Sequence, residues 1–253
     1  MKIPRAPSFR IDGRRALVAG GTGGIGIACA AALAENGASV VIASRREAAV
    51  ESAVDALRGH GYDAEGAAFD AADEDAVAAA ARSLGPFDIL VNSAGINRPN
   101  SAFDTRLEDF DRIMEANARG AFILARTAAR GMRERGGGSI IQISSQMGLV
   151  GGRDRSAYCA SKHAVEGMTK AMAIEWGPFG IRVNSICPTF IRTELTEATF
   201  RDPERVAWIE SKIALDRVGV PEDVMGAVQF LASDASAMVT GAHIAVDGGW
   251  TAE

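Results

Sequence analysis

Short apolar runs alternate with longer stretches of helical spacing along nearly the whole chain. Seven runs read as strands: Arg15 to Ala19, Ser39 to Ala43, a weaker Ala64 to Phe69, Phe87 to Val91, Ser139 to Ser144, Gly180 to Ile186 and His243 to Val246. Between them lie an alanine-rich stretch running to Asn36-Gly37, a Glu47 to Leu57 segment ending at Gly59, and a helix through Ala76 to Leu84. From Leu107 to Arg133 the apolar residues Phe110, Ile113, Met114, Phe122, Ile123 and Ala125 recur at helical spacing, a stripe that suits core or subunit interface. Ala157 to Trp176 has few breakers, and Pro221-Glu222-Asp223 opens a helix through Leu231. Strand alternating with helix points to the α/β class. Two segments fall outside the alternation. Met1 to Arg10 reads as an irregular tail, and Thr193 to Leu215 is charged with scattered apolar positions (Leu195, Phe200, Val206, Trp208, Ile209). That pattern fits a mobile lid or an ordinary surface helix.

Composition narrows the class. At 253 residues, 47% of them hydrophobic, the chain can bury the core of one α/β domain, and no linker interrupts it. A formal charge of −5 argues against a nucleic-acid partner, which favours a basic face. No apolar run approaches the roughly 18 residues of a membrane span, and no signal-like apolar core follows Met1, so a cytoplasmic location is expected. Cys29, Cys159 and Cys187 form no C-x-x-C pair and suit a reducing compartment. His60, His163 and His243 show no ligand spacing, so no metal site is expected.

Candidate chemistry begins after the first strand. Gly20-Gly21-Thr22-Gly23-Gly24-Ile25-Gly26 stands between a strand and a helix, where glycines let the backbone approach a pyrophosphate and present N–H groups at a helix N-terminus. Two registers are open: Gly21, Gly23 and Gly26, or Gly20, Gly24 and Gly26. After the second strand an acidic residue would hold the ribose hydroxyls of NAD and repel a 2′-phosphate. The chain instead has Ser44-Arg45-Arg46, whose hydroxyl and guanidinium groups suit a phosphate dianion, so NADP is the expected cofactor, with NAD possible. Glu47 starts the next helix. Further on, Tyr158 and Lys162 are four apart in a helical pattern and share a face. A Lys ammonium beside a phenol favours the phenolate, lowering the Tyr pKa from about 10. Ser145 follows the fifth strand, at the carboxyl end where ligands bind in open α/β sheets.

With Ser145, Tyr158 thirteen residues on and Lys162 four further, the chain resembles the short-chain dehydrogenase/reductase family from about Arg14 to its end. The resemblance implies a single-domain Rossmann fold, a doubly wound parallel sheet of about seven strands flanked by helices. It implies the Gly20, Gly24, Gly26 register, with Ala19 in place of the usual Thr and with Thr22, Gly23 and Ile25 completing the turn. It implies a fourth catalytic residue, Asn117, which lies 28 before Ser145, kinks its helix and holds a relay water. Asp70 and Ala71 match the adenine-binding position; Asp70 is otherwise a helix N-cap, a role for which Asp73 competes. Asn92-Ser93-Ala94-Gly95 resembles the family's Asn-Asn-Ala-Gly, with Asn92 tying the strand to its neighbours and Ala94 and Gly95 keeping the floor under the cofactor open. Pro188, Ile191 and Thr193 would border the nicotinamide, with Thr189 in place of the usual Gly.

What the resemblance implies for activity is hydride transfer between a secondary alcohol and a ketone. Tyr158 would be the general acid and base, Ser145 a donor to the substrate oxygen, and Lys162 a ligand of the nicotinamide ribose. The segments Asn97-Arg98-Pro99, Gln146-Met147-Gly148 and Arg153-Asp154-Arg155 should face the substrate, and their polarity suits a sugar, polyol or sugar acid. A 3-oxoacyl thioester on a carrier protein is the runner-up substrate. A dinucleotide sensor that has lost catalysis is the competing class. Asp247-Gly248-Gly249-Trp250 resembles a C-terminal signature that often packs in a homotetramer.

Overall fold

The structure is a computed structural model that describes residues 1, 3–194 and 196–252. Lys2, Glu253 and Leu195, the last of which was read among the apolar positions of the lid segment, lie outside the described residues.

Seven strands, β1 (Arg15–Ala19), β2 (Ser39–Ser44), β3 (Ala64–Ala68), β4 (Ile89–Asn92), β5 (Gly138–Ile143), β6 (Ile181–Pro188) and β7 (His243–Val246), form one sheet of order β3-β2-β1-β4-β5-β6-β7. Every neighbouring pair is parallel. Each strand therefore needs a crossover, and the intervening helices supply it. They are α1 (Gly24–Glu35), α2 (Glu47–Gly59), α3 (Glu74–Leu84), α4 (Leu107–Met114), α5 (Gly120–Glu134), α6 (Ser156–Trp176), α7 (Glu197–Phe200), α8 (Pro203–Glu210) and α9 (Glu222–Ala232).

Successive residues of a strand point to opposite faces, and β1 shows what that does here. Ala16 and Val18 pack with Leu33 of α1, Val54 of α2 and Val228 of α9. Leu17 and Ala19 pack on the other face with Val77 of α3 and Leu124 and Met132 of α5. Both faces are covered, which is why β1 and β4 are apolar along most of their length. Cys29 and Cys187 are free and buried within these layers.

One strand departs in length from the sequence expectation, and one helix is interrupted where a kink was expected, at Asn117. β6 runs on to Pro188, two residues past the expected end, so the chain stays in the sheet until it reaches the cleft described below. The single helix expected over residues 107–133 is broken by a π-turn at Glu115–Arg119, centred on Asn117. Its apolar stripe is split as well: Ile113, Ile123 and Ala125 are buried, whereas Phe110 and Phe122 are 38% and 41% exposed.

The C-terminal turn and the segment carrying α7 and α8 are packed together. Asp247 accepts hydrogen bonds from the N–H groups of Gly249 and Thr251, each at 3.0 Å, and from the Thr251 hydroxyl at 2.6 Å. Trp250 meets Trp208 of α8 edge-on at 5.5 Å and Phe190 at 5.7 Å between ring centroids. Leu215 N–H donates to Gly248 O at 3.1 Å. Beneath them Ile209 and Ile213 pack on Met147 and Phe190.

Candidate active site

β1 has β2 on one side and β4 on the other, so the winding reverses there and the chain leaving β1 faces a gap between diverging crossovers. β1, β2 and β4 end in register, with Ala19 opposite both Ala43 and Asn92. A cleft of about 920 Å³ opens at these carboxyl ends.

Its first wall is the glycine turn, and packing settles the register. Gly20 sits at φ +75°, and a Cβ there would lie 2.7 Å from Ala94 N. A Cβ on Gly26 would lie 2.0 Å from Gly20 O, so the turn folds back on itself only if both are glycine. Gly24, at φ +52°, presses on the Thr193 side chain. Gly23 is extended at φ −179°, and nothing lies within 4 Å of its absent Cβ. A Cβ on Gly21 would also lie 2.9 Å from Val18 O, so the two registers part at the second glycine, where Gly24 is constrained and Gly23 is not. Gly26 lines no part of the cleft; its role is to let α1 begin close under the strand. Thr22, Gly23, Gly24 and Ile25 do line it. No side chain caps α1, which leaves its first N–H groups free for an anion.

At the end of β2, Ser44, Arg45 and Arg46 line the cleft, and both arginines are exposed. α2 begins at Glu47, as expected. Neither arginine forms an ion pair among the described residues. Asp70 and Ala71 line the neighbouring wall. Asp70 Oδ1 accepts the Ala72 N–H at 2.9 Å, while Asp73 caps α3 by accepting from Asp75 and Ala76 N–H at 3.0 and 3.1 Å. The competition between the two aspartates is thus resolved in favour of Asp73 as cap. These features fit a dinucleotide: a backbone cradle that a Cβ would fill, a helix N-terminus without a cap, and unpaired cations where a 2′-phosphate would fall.

Asn92 is buried and does not reach the cleft. Its Nδ2 donates to Gln142 Oε1 at 2.8 Å and its Oδ1 accepts Ala94 N–H at 3.1 Å, so it joins β4 to β5 and turns the chain that follows. Ala94 and Gly95 line the floor. Asn117, 1% exposed, accepts Ile96 N–H at 2.8 Å and donates to Ile96 O at 2.9 Å and Ser161 Oγ at 3.0 Å. Both amide hydrogens are committed, so this side chain pins the loop after β4 against α6, and only the backbone of the π-turn is left to meet a water.

At the far end stand Tyr158 and Lys162 of α6. Lys162 is 6% exposed, and its Nζ donates to Ile143 O at 2.9 Å. Burial holds its pKa down, to about 8. Tyr158 is half-buried, and Lys162 Nζ lies 5.7 Å from its ring centroid. Desolvation pushes its pKa up to about 12, although the Ser145 hydroxyl beside it favours the ionised form. This corrects the sequence expectation that Lys162 lowers the Tyr158 pKa. Burial acts on both groups and is the largest influence on each.

Ser145, 7% exposed, is also engaged: its hydroxyl donates to Gln146 Oε1 at 2.7 Å and accepts Met147 N–H at 3.1 Å. Ser144, which precedes it and lines the cleft, has a buried hydroxyl without a partner.

The remaining expected residues divide. Thr193 lines the cleft, whereas Pro188 and Ile191 are buried behind it. Asn97 and Arg98 line it, Arg98 paired with Asp109 at 3.0 Å. Gln146 and Met147 are buried, and Gly148 lines a separate cavity of about 530 Å³, so the expectation that this segment faces the substrate is corrected. Met147 is drawn away by the apolar cluster under α8. Sequence reasoning missed Arg112, Glu115 and Ala116 as lining residues.

A family model described as enoyl-(acyl carrier protein) reductase matches residues 19–251. The chain is 40% identical over 247 residues to the D-threitol dehydrogenase of Mycolicibacterium smegmatis, spanning 96% of this chain and 95% of that one. It is 42% identical over 250 residues to the galactitol 2-dehydrogenase of Rhizobium johnstonii, spanning 96% and 97%. Among solved structures, a gluconate 5-dehydrogenase from Burkholderia cenocepacia in complex with NADP and tartrate superposes with a TM-score of 0.94 at 37% identity, covering 97% of this chain and 98% of that one. With Tyr158 and Lys162 lining the same cleft as the glycine turn, the chain belongs to the short-chain dehydrogenase/reductase family.

Proposed function

We propose that this protein is an NADP(H)-dependent oxidoreductase that interconverts a secondary alcohol and a ketone on a sugar, polyol or sugar acid. The observation that carries the reading is one continuous cleft with Arg45 and the glycine turn at one end and Tyr158 with Lys162 at the other. The nicotinamide cofactor, when bound, supplies the oxidising or reducing equivalent as a hydride. The protein binds and orients, and it manages one proton. Tyr158 donates that proton to the substrate oxygen in the reducing direction and receives it in the oxidising one. Ser145 lends the substrate oxygen a hydrogen bond once Gln146 releases its hydroxyl. Lys162 and Asn117 hold the ribose and the relay water.

The relatives supply the substrate class. Two are named for polyols, and the solved neighbour holds NADP with tartrate, a hydroxylated dicarboxylate. A homotetramer is supported by the exposed Phe110 and Phe122 on α4 and α5, and a cytoplasmic location by the three free cysteines.

Initial rates of the purified protein with NADP and NAD on polyols, aldoses, sugar acids and a 3-oxoacyl thioester test the reading. Turnover of a sugar-derived alcohol supports it, and turnover of the thioester alone replaces it with the carrier-protein reaction. Tyr158→Phe is expected to lose about 10² to 10⁴ in kcat while retaining cofactor. Undiminished turnover in that variant removes Tyr158 from the mechanism.

A further inference from the structure

Glu166 is a buried carboxylate with no part in the hydride or proton transfer. It lies one helical turn beyond Lys162 on α6 and is 5% exposed. Residues four apart share a helix face, so both side chains turn toward the sheet. What each meets there brings them near one another. Lys162 Nζ donates to Ile143 O at the end of β5. Ile143 is paired in register with Ile186 of β6. Glu166 takes the residues on either side of that partner: its Oε2 accepts the Ser185 hydroxyl at 2.9 Å and its Oε1 the Cys187 thiol at 3.5 Å. Neighbouring strands stand about 4.8 Å apart, so ammonium and carboxylate are seated on adjacent strands at matching positions. They form no salt bridge; each is hydrogen-bonded to its own strand. Gly148 leaves room for this arrangement, since a Cβ there would lie 3.2 Å from Glu166 Cγ and 3.1 Å from Lys162 O.

Few other charges bear on the pair. Asn117, which the π-turn presents beside Gly95 and Lys162, is neutral, and Arg112 and Glu115 are exposed where they line the cleft. His163 and Lys170 of α6 and His243 of β7 line the cavity of about 530 Å³ with Glu166, and all three are exposed. Burial, and then the Glu166 charge, push the Cys187 thiol of β6 up to about 12. Burial lowers the Lys162 pKa to about 8, with Cys187 and Glu166 acting the other way. The thiol is neutral where Lys162 titrates, so the opposing charge is the carboxylate, whose two oxygens both accept hydrogen bonds as an ionised group does. A desolvated cation keeps its proton more readily when an opposite charge stands close by. We infer that Glu166 is a positioning residue for the reaction: seated on Ser185 and Cys187, its carboxylate holds Lys162 in the ammonium form beside Tyr158. The inference rests on the oxidoreductase reading only for what that ammonium does in turnover.

The chain has four lysines, Lys2, Lys162, Lys170 and Lys212, so carbon-13 labelling at lysine Cε gives a simple spectrum in which the Lys162 signal is the one lost in Lys162→Met. That signal is followed by NMR across the alkaline range in the wild type and in Glu166→Gln, which keeps the shape of the side chain and removes its charge. Lys162 is expected to titrate about one pH unit lower in Glu166→Gln, and the alkaline limb of kcat should move with it. Glu166→Asp keeps the charge one methylene farther back and should recover part of the shift. If Glu166→Gln fails to fold, Glu166→Asp decides, because its smaller displacement is still toward lower pH. A role in packing alone would alter stability and leave the titration in place. An unmoved Lys162 titration in Glu166→Gln, or in Glu166→Asp where that variant decides, overturns the inference, as does a kcat limb that stays put while the titration shifts. A shifted titration in a protein that turns over no compound overturns the redox reading instead and leaves the Glu166 counter-charge standing.

Discussion

Replacing Lys162 with methionine is expected to stabilise this protein at neutral pH while removing most of its turnover. The ammonium is 6% exposed, and burial lowers its pKa from 10.5 to about 8. A shift of that size means that folding with the charge buried costs about 3 kcal/mol at pH 7. Methionine fills similar space without charge. It forfeits the charge-assisted hydrogen bond to Ile143 O, worth about 2 kcal/mol, so the net gain is about 1 kcal/mol. The sign reverses with pH. Between about 8 and 10.5 the unfolded chain keeps a proton that the folded chain has released, so wild-type stability rises relative to the variant as pH increases. Tyr158 is present in both chains, so its own titration largely cancels in the difference. Urea unfolding of the two proteins at pH 7, 8.5 and 10 measures the gap. A variant less stable than wild type at pH 7, or a gap that does not narrow by pH 10, refutes the burial argument.

Three further outcomes are expected. Arg45→Asp should reverse the NADPH-to-NADH ratio of kcat/KM, since a cation facing a 2′-phosphate becomes an anion that repels it; an unchanged ratio refutes the NADP assignment. Gly26→Ala forces a Cβ to 2.0 Å from Gly20 O and should cost about 1 to 3 kcal/mol together with cofactor affinity, whereas Gly23→Ala should shift stability by less than about 0.5 kcal/mol; calorimetric melts separate the two. Asn117→Ala should unpin the loop after β4 by removing three buried hydrogen bonds, with a loss of about 2 to 4 kcal/mol read by denaturant unfolding, and a loss below about 0.5 kcal/mol would refute its bracing role.

The strands were legible because a sheet buried on both faces writes itself as apolar runs; β1 and β7 fall where the pattern placed them. The glycine register was not legible from spacing. It depends on Gly24, which takes a positive φ and presses on Thr193 from another part of the chain, while Gly23 is extended and meets nothing. The break at Asn117 was legible only through the family resemblance, which placed a kink there; Glu115–Arg119 has ordinary helical composition, so spacing alone reads straight through it. The direction of the Tyr158 pKa shift was misjudged because sequence gives the Lys162 spacing but not the depth at which both groups lie. Arg155 was placed among the substrate-facing residues, yet nothing in Arg153-Asp154-Arg155 distinguishes the exposed guanidinium from the sealed one.

The braced C-terminal turn ties the seat of α8 to residues far along the chain. Trp250 holds Trp208 and Phe190, and Gly248 O anchors the N–H of Leu215, so α8 is positioned by residues 247–251, some forty places downstream of it. Trimming the Trp250 ring to alanine removes both aromatic contacts at once, acting on α8 without changing any residue that lines the cleft.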